Sequence, residues 1–175
     1  MGTLPNDSTG LQGTQLIVDA LRGEDIRHVV NLPDSWFVPL IRLLKDDPDF
    51  VDIPVAREEE GVAVCAGLEL GGEKSAILMQ NTGLLASVNA IAGLALKYSI
   101  PVLMLIAHRG APGWRENSDY QLLGGELTLP MLQTLRVPEY EIHEPGQMWR
   151  IGEARTRATL GNQPVAVLLT QEAWS

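Results

Sequence analysis

Short apolar runs alternate with longer segments of helical periodicity along most of the chain. The runs are apolar on successive residues, which is typical of strands buried on both faces; they lie at 28–32, 51–56, 75–80, 102–107, 140–142 and 164–170. Between them, apolar residues recur at helical spacing over 10–21, 36–44, 58–70, 84–98, 127–135 and 147–160. This alternation predicts an α/β fold with an open, doubly wound, mainly parallel six-stranded sheet and helices on both of its faces.

The segments between these elements give more local predictions. Asp34 or Ser35 is expected to cap the helix that follows the first strand, and Asn81-Thr82-Gly83 reads as a tight turn or a helix cap. Residues 108–125 show no periodicity, so they predict a long loop. Residues 1–9 are polar and are expected to form a flexible arm. A chain of 175 residues is sufficient for one core and short for two, so a single domain over 1–175 is predicted.

Charge and cysteine content narrow the class of protein. A formal net charge of −9 disfavours nucleic acids and anionic membranes as partners, because both need clustered cations. The single cysteine, Cys65, excludes an internal disulfide framework. No apolar run approaches the roughly 18–20 residues of a membrane span, and no signal-peptide pattern is present. The expectation is a cytoplasmic protein.

Ligands of open α/β sheets bind beyond the carboxyl ends of the strands. That rule selects 32–35, 57–60, 80–83, 107–113 and the chain after 170. The stretch 57–60 is notable for three consecutive acids, Glu58, Glu59 and Glu60, followed by a helix of small residues. Acidic residues are favoured at a helix start because of the macrodipole, but this does not explain why the helix that follows consists so largely of residues with small side chains.

Several common sites have no counterpart in the sequence. There is no G-x-G-x-x-G after the first strand, no Walker motif and no G-x-S-x-G, and the three histidines have no metal-ligand spacing. Nothing in the sequence would hold a diphosphate or a metal. An enzyme built on this chain is therefore expected to take half of its site from elsewhere.

Motif order and spacing provide a positive indication. Glu59-x-Gly61-x-Ala63-x-x-Ala66 is followed by Gln80-Asn81-Thr82-Gly83, by Asn89-Ala90 and by Ile100-Pro101. This series resembles the pyrimidine-binding domain of thiamine diphosphate-dependent decarboxylases. The runs 32–36, 57–61, 79–83 and 109–113 are most similar to the sulfopyruvate and phosphonopyruvate decarboxylases, over about residues 10–170.

The resemblance implies a function and a partner. The chain would be the alpha subunit of a 2-oxo acid decarboxylase, with sulfopyruvate as the first substrate and phosphonopyruvate as the alternative. Glu59 would donate a hydrogen bond to the cofactor's aminopyrimidine and so activate it, because burial between two subunits favours a neutral carboxyl. The diphosphate and Mg²⁺ would be held by a separate beta subunit, whose G-D-G…N motif is missing from this sequence.

Further candidate residues follow the same strand ends. Gln80, Asn81 and Thr82 could bind the pyrimidine or line the substrate pocket, although a turn and helix cap would use the same residues. Asp34, Ser35, His108 and Arg109 are candidate substrate contacts, and Arg109 is the preferred partner for a sulfonate or phosphonate. Arg57 could bind an anion or pair with a neighbouring acid. Two other functions stay open, a non-catalytic protein of this fold and a carboligase or transketolase-type module.

Overall fold

The computed structural model describes residues 9–111 and 119–174. Its centre is a six-stranded sheet in which every pair of neighbouring strands is parallel, in the order β2-β1-β3-β4-β6-β5. The strands are β1 (His28–Asn31), β2 (Val51–Pro54), β3 (Ser75–Gln80), β4 (Leu103–Ala107), β5 (Glu139–Ile142) and β6 (Val165–Leu169). The predicted α/β class and parallel sheet are confirmed.

Helices connect successive strands and cover both faces of the sheet. They are α1 (Thr9–Gly23), α2 (Val38–Asp46), α3 (Glu58–Leu70), α4 (Asn81–Ala86), α5 (Val88–Ala90), a π-helix (Ile91–Leu96), α6 (Asp119–Leu135) and α7 (Arg150–Gly161). Two short 3₁₀ turns, Pro145–Gln147 and Gln171–Trp174, complete the described elements. None of the helices within 9–111 and 119–174 is long and apolar enough to cross a membrane.

The sheet separates two hydrophobic clusters. One contains residues of α1, α2 and α7 together with Val29, Leu78 and Leu105. The other contains residues of α3, the π-helix and α6 together with Ile77 and Met104. Strands β3, β4 and β6 contribute to both clusters because successive side chains point to opposite faces. Burial on both faces explains why the sequences of these three strands are apolar without interruption.

Three local predictions were wrong. Helix α4 begins at Asn81 directly at the end of β3, with Gln80 as its extended N-cap residue, so 81–83 is not a separate turn. Helix α6 begins at Asp119, within the predicted loop 108–125, of which residues 112–118 lie outside the described part. Asp34 does not cap α2, whose N-cap residue is Phe37; instead Asp34 Oδ1 accepts the N–H of Trp36 in the preceding turn.

The parallel register brings the carboxyl ends of all six strands to one edge of the sheet. Asn31 pairs with Pro54 and Leu78, and Gln80 pairs with Ala107, which in turn pairs with Leu169. The last residue of β3, Gln80, and the residues that follow the strands include every site candidate of the sequence. The fold therefore places all of them along a single border of the protein.

Candidate functional site

Glu59 borders a cleft at the start of α3. Its side chain is 38% exposed, and the Nε atom of Arg57 lies 3.0 Å from Glu59 Oε1. The cleft has a volume of about 440 Å³ and is otherwise lined by small or polar residues, namely Ala56, Arg57, Glu60, Ala86, Asn89 and Ala90. Alanine side chains leave a broad surface on which a flat ring could lie, with a carboxyl and an amide at its border.

The two neighbouring acids are held differently. Glu60 Oε2 accepts the backbone N–H of Ala56 at 3.0 Å, which ties the helix start to the end of the preceding segment. Glu58 lies against Gly83 of α4, where a Cβ atom would come within 2.5 Å of Glu58 Cγ. Glu58 and Glu60 therefore contribute to the packing of α3. Glu59 instead pairs with Arg57, whose side chain is 70% exposed.

A second cluster forms where β1, β3 and β4 end. Asp34 is 8% exposed, and its Oδ2 atom accepts the Nε2–H of Gln80 at 2.9 Å. The same oxygen lies 3.6 Å from Nη1 of Arg109, whose guanidinium stands over the ring of Trp36 with a centroid distance of 5.5 Å. The structure thus brings together Asp34, Gln80 and Arg109, three of the residues selected from the sequence.

The remaining candidates are placed around this cluster. Asn81 is fully buried, and its Nδ2–H donates to the carbonyl oxygen of Arg109 at 2.8 Å, so it fixes the chain after β4. Thr82 is half-buried and Ser35 is exposed. The predicted roles of Asn81, Thr82 and Ser35 in binding stay predictions.

His108 points away from solvent toward α6. It is 2% exposed, and its Nε2 atom lies 3.1 Å from the carbonyl oxygen of Gly125, which can only accept a hydrogen bond, so Nε2 carries the proton. Burial lowers the pKa of His108 below its usual 6.5, which favours a neutral ring. Gly110 adopts φ +68°, and a Cβ atom there would lie 1.9 Å from the carbonyl oxygen of Gln121. Close backbone packing therefore holds this segment against α6.

Asn89 and Trp36 belong to these surfaces and were not among the predicted site residues. Asn89 lines the cleft of Glu59, and its position in the motif series was its only signal. Trp36 stacks on Arg109, and helical periodicity had placed it in the apolar stripe of α2. Within the described residues, no group of three or more His, Cys, Asp and Glu side chains could hold a metal ion.

The cleft beside Glu59 lies beyond the carboxyl ends of a parallel sheet, where ligands of open α/β sheets bind. Residues 11–126 match the family model described as the thiamine pyrophosphate enzyme, N-terminal TPP binding domain. The chain belongs to this family of thiamine diphosphate enzymes, as the sequence resemblance had predicted.

The similar curated proteins agree with that assignment. The chain is 34% identical to the sulfopyruvate decarboxylase subunit alpha of Methanococcus maripaludis, over 94% of this chain and 98% of that protein. It is 33% identical to the subunit of the same name from Methanocaldococcus jannaschii, over 94% of this chain and 96% of that protein. The phosphonopyruvate decarboxylase of Streptomyces viridochromogenes is 32% identical over 64% of this chain, which corresponds to 28% of that protein.

Solved structures show the same fold at low sequence identity. The thiamine diphosphate-dependent 4-hydroxybenzoylformate decarboxylase of Rhodococcus jostii superposes with a TM-score of 0.71 at 17% identity, over 93% of this chain and 31% of that chain. The 2-oxoglutarate:ferredoxin oxidoreductase of Magnetococcus marinus gives 0.69 at 16% identity, over 94% of this chain and 29% of that chain. In both proteins the matching fold is less than a third of a longer polypeptide.

Proposed function

We propose that this chain is the pyrimidine-binding alpha subunit of a thiamine diphosphate-dependent sulfopyruvate decarboxylase. The observation that carries the proposal is the position of Glu59, at the first turn of α3 and at the border of a cleft with small-residue walls. It is supported by the relatives named sulfopyruvate decarboxylase subunit alpha, which match along nearly their whole length. The product would be sulfoacetaldehyde and CO₂.

The residues of the cleft fit the aminopyrimidine part of the cofactor. A flat heteroaromatic ring needs a smooth apolar wall, which Ala56, Ala86 and Ala90 offer, and polar groups at its edge, which Glu59 and Asn89 offer. Bound thiamine diphosphate supplies the electron sink for loss of CO₂ from a 2-oxo acid. Glu59 would hold a proton on its carboxyl and donate it in a hydrogen bond to a ring nitrogen. Asn89 would help orient the ring.

A neutral Glu59 requires a change from the geometry of the single chain. In the structure its carboxylate pairs with the Arg57 guanidinium at 3.0 Å. Arg57 is 70% exposed, so its side chain can turn away at little cost. We infer that a partner subunit covering the cleft displaces Arg57 and excludes water from Glu59. The name "subunit alpha" of the relatives supports such a partner, which would also hold the diphosphate and Mg²⁺.

The cluster at the ends of β1, β3 and β4 would receive the substrate. A sulfonate needs a cation or several N–H donors, and Arg109 keeps about a fifth of its side chain exposed. His108 is a weaker candidate for this contact, because it is buried and bonded to Gly125. Arg109 is therefore the proposed anion contact. Gln80 shares the Asp34 carboxylate with it, and the exposed Ser35 follows Asp34 in the chain.

The experiment is reconstitution with candidate substrates. The chain is mixed with a candidate beta subunit, thiamine diphosphate and Mg²⁺, and CO₂ and aldehyde release are followed with sulfopyruvate and with phosphonopyruvate. The proposal expects turnover of sulfopyruvate, and none when either chain is omitted. The match to a phosphonopyruvate decarboxylase makes that substrate the second candidate. Exclusive turnover of phosphonopyruvate would reassign the substrate, and carboligation products without CO₂ release would reject a decarboxylase.

A further inference from the structure

Both oxygens of the Asp34 carboxylate have partners inside the protein. Oδ1 accepts the N–H of Trp36 at 2.9 Å, while Oδ2 accepts from Gln80 at 2.9 Å and lies 3.6 Å from Arg109 Nη1. The side chain of Asp34 is only 6% exposed. With both oxygens taken by donors of its own chain, Asp34 is poorly placed to contact a substrate. The sequence suggested that Asp34 contacts the substrate directly. Its contacts instead favour a role in which it holds neighbouring side chains in place.

The same contacts fix two side chains that reach the carboxyl edge of the sheet. A carboxylate only accepts hydrogen bonds, so the amide nitrogen of Gln80 must face Asp34 and its amide oxygen must face elsewhere. Arg109 is held from two directions, by the charge of Asp34 and by the ring of Trp36. Its backbone is fixed as well, because Asn81 donates to its carbonyl oxygen.

We propose that Asp34 is a positioning residue that orients Arg109 and Gln80 for recognition of the distal oxyanion of the substrate. This inference rests on the proposed function and adds to it a residue that acts on substrate specificity through its neighbours. The physical reason is preorganisation. A free arginine side chain must lose its rotational freedom when it binds an anion, whereas a clamped one has already lost it.

The proposal predicts a particular pattern in the kinetics of the assembled alpha–beta enzyme. Asp34→Asn keeps one acceptor oxygen, for the N–H of Trp36, but presents an NH₂ donor to Gln80 and removes the charge that holds Arg109. We expect KM for sulfopyruvate to rise about 10-fold, with kcat changed less than about 3-fold, because a charge-assisted contact to the anion is weakened. Arg109→Gln should raise KM by about 100-fold, since the contact itself is lost. The inhibition constant of sulfoacetate, which carries the anion without a reactive carbonyl, should rise in parallel with KM.

The double variant distinguishes positioning from an independent contribution. If Asp34 acts mainly through Arg109, adding Asp34→Asn to Arg109→Gln should raise KM by much less than the roughly 10-fold that Asp34→Asn causes alone, with any remainder due to Gln80. Multiplicative effects in the double variant, or an Asp34→Asn enzyme that loses kcat while KM is unchanged, would overturn the proposal. Asp49→Asn, which removes an exposed carboxylate facing Arg22 and Arg27, is the matched control and should leave both constants unchanged.

Two controls separate a failure of the variants to fold, or a wrong substrate, from a failure of the proposal on Asp34. Each variant is compared with the wild type by circular dichroism, and Asp34→Ser, whose hydroxyl can still accept the N–H of Trp36, replaces Asp34→Asn if the latter does not fold. Absence of sulfopyruvate turnover by the wild-type enzyme would reject the proposed function. The proposal on Asp34 fails in a different way, when the wild type turns over sulfopyruvate and the variants lack the expected coupling.

Discussion

The buried ion pair between Glu69 and Arg155 allows a quantitative prediction about stability. Glu69 lies near the end of α3 and Arg155 on α7, so their contact joins the helix layers of the two sheet faces at the amino edge of the strands. The side chains are 5% and 7% exposed. Arg155 Nη1 donates to Glu69 Oε1 at 2.7 Å and Nη2 donates to Oε2 at 2.9 Å, while Nη1 also reaches the carbonyl oxygen of Pro101 at 3.3 Å.

The perturbation is Arg155→Met, which keeps the stem and removes the charge. The change deletes all three donations and leaves the Glu69 carboxylate buried without its cation. Removing one partner of a buried pair costs about 3–5 kcal/mol. We expect the lower part of this range, because the N–H and hydroxyl of Ser75 still donate to Glu69. A loss of about 3 kcal/mol corresponds to a fall of roughly 1.5 M in the urea midpoint, for a slope of about 2 kcal/mol/M.

The assay is urea unfolding of the chain followed by circular dichroism. Arg157→Met is the matched control, since Arg157 lies exposed on the same helix and should change the free energy of unfolding by less than about 0.5 kcal/mol. Adding Glu69→Gln to Arg155→Met should recover part of the loss, because Gln is uncharged and still accepts from Ser75. The reasoning is refuted if Arg155→Met is no more destabilising than Arg157→Met, or if the added Gln lowers stability further.

The remaining predictions concern single buried groups. Because the pKa of His108 is lowered in the folded chain, the unfolded chain takes up this proton at higher pH. The contribution of His108 to stability is therefore complete above about pH 6.5 and is lost as pH falls. His108→Gln should flatten the acid side of a stability–pH curve, and an unchanged slope would contradict this. Gly125→Ala would place a Cβ atom 1.8 Å from the carbonyl oxygen of Gly110 and should lower the thermal midpoint, whereas Gly67→Ala, with open space around it, should not lower it. Burial raises the pKa of the Cys65 thiol to about 12, so an aromatic disulfide reagent should modify it only after unfolding; stoichiometric labelling of the native chain would show that the burial is wrong.

Predictions from the sequence were reliable where one local signal determined the structure. Strand β3 and helix α3 have the predicted limits, because an uninterrupted apolar run and an acidic helix start each act within a few residues. The errors have a tertiary origin. Asn81 was read as a turn residue, but its side chain is used by Arg109, and the helix starts there. The stretch 108–125, predicted as a loop because it shows no periodicity, includes Gly110 and Gly125, whose lack of side chains permits a close backbone contact.

For the candidate site, too, local position could be predicted from the sequence and tertiary contacts could not. The rule that ligands bind beyond parallel strand ends selected the stretches 57–60, 80–83 and 107–113 from sequence position. The family resemblance then singled out Glu59, and the need of an anion for a cation singled out Arg109. Neither the rule nor the resemblance could reveal that Asp34 and Arg109, 75 positions apart, form a pair, because that contact exists only once β1 and β4 are aligned with β3 between them. The sequence left open whether Arg57 pairs with a neighbouring acid, and in the single chain it lies 3.0 Å from Glu59.

The central claim is that Glu59 acts on the cofactor while its two acidic neighbours do not. The direct test is the rate of CO₂ release by enzyme assembled with Glu59→Gln, compared with Glu60→Gln, which retains an acceptor for the N–H of Ala56. We expect Glu59→Gln to reduce kcat by about 100-fold or more, as for loss of an acid–base group, and Glu60→Gln to stay near the wild-type rate. A Glu59→Gln enzyme at full rate, or an equal loss in both variants, would contradict the account.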